Sequence, residues 1–288
     1  MIEKLSIQLV RYKLPLLIFV AVLAIVFPMV FTSKYVLRIA ILCLIVQRFG
    51  GMEALKDISM RVESGEIVGV IGPNGAGKTT LFNCITGMYC PTEGLVHMLG
   101  TDITGWRPYR ITAHGFARTF QNIRLFQKMS VLDNVMVGMH VKTRLPFPQN
   151  LIPGRADKVR KEAEARAEEL LKILGLYEVR YEMATSLPYG DQRKVEICRA
   201  LAIEPKLLLL DEPAAGMNEV ETEELRTIVH KLREMGNTIL LIEHDMRFVM
   251  NICDRLYVLN DGALIAEGTP DEVRADPLVI EAYLGKDE

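Results

Sequence analysis

Ile67-Val68-Gly69-Val70-Ile71-Gly72-Pro73-Asn74-Gly75-Ala76-Gly77-Lys78-Thr79-Thr80 is the stretch on which the reading of this chain turns. Its first five residues are apolar except for one glycine and read as a buried strand. The next eight, Gly72 to Thr79, complete the phosphate-binding pattern G-x-x-x-x-G-K-[ST]. Leu81, Phe82, Cys84 and Ile85 then repeat at helical spacing. In this strand–loop–helix context the glycines let the backbone curl, so that N–H groups from Gly72 through Thr80 point inward at phosphate oxygens. The positive end of the following helix dipole adds to the pull. Pro73, Asn74, Gly75, Ala76 and Gly77 shape the cradle. Lys78 neutralises β- and γ-phosphate charge, and the Thr79 hydroxyl is a ligand for Mg²⁺. The stretch therefore predicts a bound nucleotide with Mg²⁺.

A second acidic group is expected beside this loop. Leu207-Leu208-Leu209-Leu210 reads as a buried strand ending in Asp211-Glu212. Asp211 is placed to hold Mg²⁺ through its water shell, and Glu212 to accept a proton from the water that attacks the γ-phosphate. Residues 238–242 form a third strand, ending in Glu243-His244. Residues 256–259 and 263–266 flank Asn260-Asp261-Gly262, a hairpin turn signal. Short strands buried on both faces, with helices between them, predict an α/β fold with a mostly parallel sheet and an antiparallel edge.

Composition agrees with such a core. Half of the 288 residues are hydrophobic and 24% are charged, which excludes a disordered or collagen-like chain. The 34 basic and 36 acidic residues nearly balance, leaving no basic footprint of the kind nucleic-acid binding requires. The balance is uneven along the chain: residues 1–46 carry a net +4 and the remainder a net −6. The five cysteines are odd in number and lack metal-site spacing, which fits free thiols in a reducing compartment.

In the middle, residues 157–174 read as a helix with Asp157 as N-cap and Gly175 as its stop. Val159, Ala163, Ala167, Leu170 and Leu174 form its apolar stripe, with Glu162/Arg166 and Glu168/Lys172 as surface pairs. A Pro-rich loop precedes it.

The start of the chain is of another kind. Residues 14–31 contain no charge, and as a helix they span about 27 Å against a hydrocarbon core of ~30 Å. A membrane helix is expected there. A signal peptide is the alternative, disfavoured by the long charged region before the run and the lack of a clean cleavage site. Residues 39–46 form a second apolar run, too short to span a membrane and rich in β-branched residues.

Taken in order, the phosphate loop, Leu187-Pro188-Tyr189-Gly190-Asp191-Gln192-Arg193, Asp211-Glu212-Pro213 and His244 resemble the ATP-binding subunits of ABC transporters over residues 47–288. Arg118-Thr119-Phe120-Gln121, Arg124-Leu125-Phe126, Ala214-Ala215-Gly216-Met217-Asn218, Glu267-Gly268-Thr269-Pro270 and Ala282-Tyr283-Leu284-Gly285 look like the LivG-type subunit of branched-chain amino-acid uptake systems. The resemblance implies a helical subdomain over about residues 123–202 inserted in the ATPase core. It implies that Gln121 senses Mg²⁺ and γ-phosphate, that His244 contacts γ-phosphate, and that Phe49 stacks on adenine. The signature segment departs from the general Leu-Ser-Gly-Gly-Gln: Pro188 offers neither hydroxyl nor N–H. Backbone N–H groups of Tyr189 and Gly190 and the helix dipole are left to bind phosphate. Asn218 replaces the more usual aspartate of the dimer-contact loop.

Residues 1–46, with Leu9-Val10-Arg11-Tyr12 and Tyr35-Val36-Leu37-Arg38, look instead like the beginning of a LivM-type permease subunit. The ATPase fold needs an opening strand before Phe49. Residues 39–46 are therefore expected as a sheet-edge strand and only residues 14–31 as a membrane helix. The family implies hydrolysis of ATP at the cytoplasmic face of the inner membrane, driving amino-acid import through two separate permease subunits. A second ABC ATPase, identical or different, and indirectly a solute-binding protein complete the implied partners. The region from Arg124 to Met129 is expected to carry the coupling. Two alternatives stand beside this one: a soluble ABC ATPase acting on DNA or ribosomes, and a non-catalytic nucleotide-binding regulatory subunit.

Overall fold

A computed structural model of the chain describes residues 39–143 and 154–284. The expected membrane helix at residues 14–31 and most of the Pro-rich loop lie outside these residues. Among the described residues, no helix is long and apolar enough to cross a membrane.

Two sheets form the frame. The first, antiparallel, has the order β2-β1-β4-β5, built from β1 (Ile39–Phe49), β2 (Met52–Glu63), β4 (Glu93–Met98) and β5 (Thr101–Asp102). The second has the order β10-β9-β3-β8-β7-β6. It comprises β3 (Ile67–Ile71), β6 (Phe116–Arg118), β7 (Leu207–Asp211), β8 (Thr238–Ile242), β9 (Arg255–Asn260) and β10 (Ala263–Gly268). Five strands run parallel, and β10 closes the edge antiparallel to β9. Every residue of β3, β7 and β8 is buried, as apolar strands covered on both faces must be. The β9–β10 turn puts Asp261 and Gly262 at φ 46° and 78°, the doubly left-handed geometry of a tight two-residue hairpin.

The helices are α1 (Lys78–Ile85), α2 (Pro108–Ala113), α3 (Val131–Gly138), α4 (His140–Thr143) and α5 (Arg155–Ile173). They continue with α6 (Tyr189–Leu201), α7 (Glu219–Glu234), α8 (Met246–Ile252), α9 (Pro270–Ala275) and α10 (Pro277–Leu284). Helices α3 to α6 fall between β6 and β7 in the chain. One core cluster joins β7, β8 and β9 to α3, α5, α6, α7 and α8. A second packs α1 between the two sheets, on Ile41, Cys43 and Ile45 of β1 and Val68 and Val70 of β3.

Residues 39–46 are a strand, as expected, but not at an edge. β1 pairs with β2 from Ile39 to Phe49 and with β4 from Ile41 to Val46, so it is internal. It is also continuous through residues 46 and 47, so the expected junction falls inside one strand. Ala40, Ile41, Cys43 and Ile45 are at most 1% exposed and mark the covered face of the strand. That pattern says nothing of the hydrogen-bonding edges, and the second edge is covered by β4, some fifty residues further along the chain.

The long helix also differs in detail. α5 starts two residues earlier, with Gly154 at its N-cap, and Asp157 sits in its first turn. There its charge meets the dipole without capping. Gly175, at φ 75°, ends the helix as expected. Of the stripe, Ala163, Ala167, Leu170 and Leu174 are buried and Val159 is half-exposed. The surface pairs re-partner: Arg166 meets Glu169 and Glu204, and Glu168 meets Arg180.

Candidate nucleotide site

The phosphate loop links β3 to α1 and its glycines are sterically required. A Cβ on Gly77, at φ 101°, would lie 2.8 Å from the Ala54 carbonyl, and one on Gly72 would lie 2.1 Å from that of Leu259. Ala76 is buried, while Asn74, Gly75 and Thr79 are exposed and Pro73 and Thr80 half-exposed. The loop thus presents its rim to solvent and anchors its base. Lys78 is 8% exposed and donates from Nζ to the carbonyls of Gly72 at 2.7 Å and Pro73 at 2.9 Å. Burial holds its ammonium below the usual lysine range, and the charge of Glu212 pulls the other way. A cation folded over the rim of its own loop is placed to turn to phosphate oxygens.

Two carboxylates end β7. Asp211 is 5% exposed and accepts at Oδ2 from Arg118 at 2.7 Å. Its backbone N–H donates to the Thr119 hydroxyl at 3.3 Å. Glu212 has φ 47°, an uncommon backbone state for a non-glycine residue, held by its N–H donating to the Ile242 carbonyl at 2.9 Å. Oε2 of Glu212 accepts from Nε2 of Gln121 at 2.7 Å. Nδ1 of His244 stands 3.9 Å from the same oxygen and 3.9 Å from Oε2 of Glu243. The structure therefore brings Gln121, Glu212 and His244 together, with Asp211 next to Glu212 on the chain.

Residues outside the sequence expectations hold this cluster. Glu243 is fully buried, and its carboxylate accepts from the N–H of Ala214 at 2.7 Å and of His244 at 3.2 Å. Burial pushes its carboxyl above the usual glutamate range against those hydrogen bonds. Arg193, also fully buried, donates to the carbonyls of Phe120 at 2.6 Å and Gln121 at 2.7 Å and pairs with Glu196 at 3.0 Å. It fastens the Gln121 segment to α6. Both lie next to residues singled out from the sequence. Both stand in quoted stretches with no role assigned, and only their burial in the fold shows that each needs hydrogen-bonded partners.

Tyr189 and Gly190 head α6, with Pro188 as N-cap. Their N–H groups belong to the first turn, which has no intrahelical carbonyls to meet. Gly190 is buried, and a Cβ there would lie 2.7 Å from the Glu221 carboxylate. Asn218 accepts from the N–H groups of Val220 and Glu221 and caps α7. An asparagine serves there as well as an aspartate. Phe49 ends β1, 45% exposed, with Tyr89 edge-on at 5.3 Å between ring centroids. It is not a core residue, and its ring has a free face.

A donor set of one hydroxyl (Thr79), one carboxylate (Asp211) and one amide oxygen (Gln121, whose nitrogen is engaged by Glu212) fits Mg²⁺. That ion keeps several waters and leans on nucleotide phosphates rather than on an all-protein cage. Among the described residues no cluster of His, Cys, Asp and Glu forms such a cage.

The chain resembles known proteins in sequence and fold. Residues 55–215 match the ABC transporter family, and residues 263–288 match the branched-chain amino acid ATP-binding cassette transporter family. The chain is 46% identical over 244 residues to the high-affinity branched-chain amino acid transport ATP-binding protein LivG of Salmonella typhimurium, covering 84% of this chain and 96% of that one. It is 44% identical over the same shares to BraF of Pseudomonas aeruginosa, which carries the same description. A nucleotide-free ATP-binding cassette from an ABC transporter superposes with a TM-score of 0.75 at 35% identity, over 86% of this chain and 100% of that one. The ADP conformation of an ABC-transporter cassette gives the same TM-score and identity, over 86% and 99%. The chain belongs to the ABC transporter ATP-binding family.

Proposed function

We propose that this chain is an ATPase subunit that drives import of branched-chain amino acids through separate permease subunits. The observation that carries the ATPase reading is the contact of Gln121 with Glu212, at the strand end beside the phosphate loop. The likeness to LivG and BraF carries the substrate class.

In this reading the phosphate loop holds the β- and γ-phosphates, with Lys78 turning from the Gly72 and Pro73 carbonyls to phosphate oxygens. Thr79, Asp211 and the Gln121 amide oxygen would hold Mg²⁺, which would supply charge neutralisation when bound with nucleotide. Glu212 takes a proton from the attacking water at Oε2, where Gln121 and His244 converge. Phe49 offers its free face to adenine. Two ATPase subunits, alike or different, meet face to face, each ATP lying between one phosphate loop and the Tyr189-Gly190 helix start of the other. A dimeric cassette in a post-hydrolysis state, bound to ADP and phosphate, is 26% identical to this chain with a TM-score of 0.68. In this reading the two ATPases work at the cytoplasmic face of the inner membrane, beneath permeases that a solute-binding protein supplies.

A groove lined by Met88, Ile111, Phe120, Phe126, Val137 and Ile203 runs between the β6 end and the inserted helices. It contains Arg124, whose carbonyl accepts from Arg199, and so joins the expected coupling region to α6. A permease segment seated there would feel Gln121 through Arg193. The test is co-purification from membranes followed by ATP turnover. Turnover stimulated by the co-purifying permeases supports the reading, and stimulation by nucleic acid instead would replace it.

A further inference from the structure

Arg118 opens the Arg118-Thr119-Phe120-Gln121 stretch, and the nucleotide reading assigns it no task. Its side chain is 10% exposed at the end of β6. Nη2 donates to Oδ2 of Asp211 at 2.7 Å, while Nη1 donates to Oδ1 of Asn83 at 2.9 Å and to Oγ1 of Thr86 at 3.1 Å. Asn83 lies on α1 and Thr86 caps it, the helix whose first residues are Lys78 and Thr79. One guanidinium therefore ties the strand end bearing Asp211 to the helix bearing Thr79. The Phe82 and Phe120 rings flank it at 5.9 and 5.4 Å.

The Asp211 side chain is only 7% exposed, and a carboxylate so buried needs a countercharge. Arg118 supplies it without a metal and takes Oδ2, leaving Oδ1 for the water shell of an incoming ion. We propose that Arg118 is a positioning residue: the resident countercharge that holds Asp211 in place in the nucleotide-free chain and then shares that carboxylate with Mg²⁺. This rests on the assignment of Asp211 and Thr79 to Mg²⁺. Two cations on one carboxylate repel each other, so Arg118 also tempers Mg²⁺ binding. Without it, Mg²⁺ becomes the carboxylate's sole partner, and nucleotide binding grows more metal-dependent.

The test is ADP affinity of the full chain by calorimetry, with Mg²⁺ and with EDTA, read as the Kd in EDTA divided by the Kd in Mg²⁺. In Arg118→Met the ratio should rise by roughly three- to tenfold over the natural chain, the scale of a screened charge–charge coupling. Arg118→Lys, which keeps the charge, should stay near the natural ratio. An unchanged or smaller ratio in Arg118→Met overturns the proposal. If Arg118→Met does not fold, the double variant Arg118→Met/Asp211→Asn, lacking both charges, should fold and bind ADP without regard to Mg²⁺. A double variant that also fails to fold shows Arg118 acting independently of Asp211 and sinks the idea. A natural chain with equal affinity in Mg²⁺ and EDTA removes the metal assignment itself, and this inference with it.

Discussion

Gln121 donates from Nε2 to Oε2 of Glu212 at 2.7 Å, joining residues 91 positions apart. The backbone of Gln121 is in turn held by Arg193 of α6. The base assigned to hydrolysis is thus bonded to a residue that the helical segment controls. A movement of α6 has a direct route to the Glu212 carboxylate, through two hydrogen bonds to the Phe120-Gln121 carbonyls.

Removing the base separates binding from chemistry. Glu212→Gln should keep ATP affinity and lose turnover by about 10²-fold or more, the scale of general-base loss. Lys78→Ala should lose binding itself. Steady-state turnover together with nucleotide affinity checks both, and normal turnover in Glu212→Gln would refute the assignment.

Phe49 is exposed and steadied by Tyr89. Stacking on a base is worth roughly 1–3 kcal/mol, so Phe49→Ala should weaken nucleotide binding by about tenfold with little change in maximal turnover. Its melting temperature should fall less than for truncation of a core phenylalanine, because the ring is 45% exposed.

Ile41 is fully buried near the start of β1, between β2 and β4. Ile41→Ala should cost about 2–5 kcal/mol of stability, the range for such truncations in a packed core. A chain shortened to begin at Gln47 loses the buried apolar residues of β1 and should fail to fold. Chemical denaturation measures the first and circular dichroism the second.

Cys43, Cys84, Cys198 and Cys253 are buried and Cys90 is exposed. Burial pushes the Cys84 thiol up to about 12 and the other three buried thiols up as well. Thiolate is the reactive form, so a thiol reagent at neutral pH should label one cysteine in the native protein and five after denaturation. Cys90→Ser should abolish the native signal.

Glu243 gives a pH signature. Its carboxyl is raised in the folded chain above the unfolded value of about 4.3, so the folded state binds its proton more tightly. The stability this contributes is complete below the unfolded value and is lost as pH rises through the folded one. Glu243→Gln, which does not titrate, escapes that loss. Its melting temperature should gain on the natural chain as pH goes from 4 to 8, and a constant difference would show that Glu243 does not titrate in this range.

The elements legible in the sequence are those that local patterning determines. β3, the phosphate loop and α1 follow from one continuous stretch, and β8 was readable to the residue because all of its positions are buried. The Asp261-Gly262 turn needed only its two left-handed residues. Long-range partnerships were not legible. The alternation of residues 39–46 predicts a strand but not that β2 and β4 would cover both of its edges. The pairing of Arg118 with Asp211 spans 93 positions, and that of Arg193 with Phe120 spans 73. Surface pairs on α5 failed for a related reason: Arg180 and Glu204, brought near by the fold, compete with i+4 neighbours whose attraction is only a few tenths of a kcal/mol.

In the proposed function, hydrolysis at Glu212 drives amino-acid import. That coupling is tested most directly by reconstituting the chain with its co-purifying permeases in liposomes and measuring uptake of labelled leucine, isoleucine and valine with ATP. Uptake that requires ATP and vanishes in Glu212→Gln is the predicted result. Uptake that persists in Glu212→Gln, or ATP hydrolysis with no uptake of these amino acids, would contradict it.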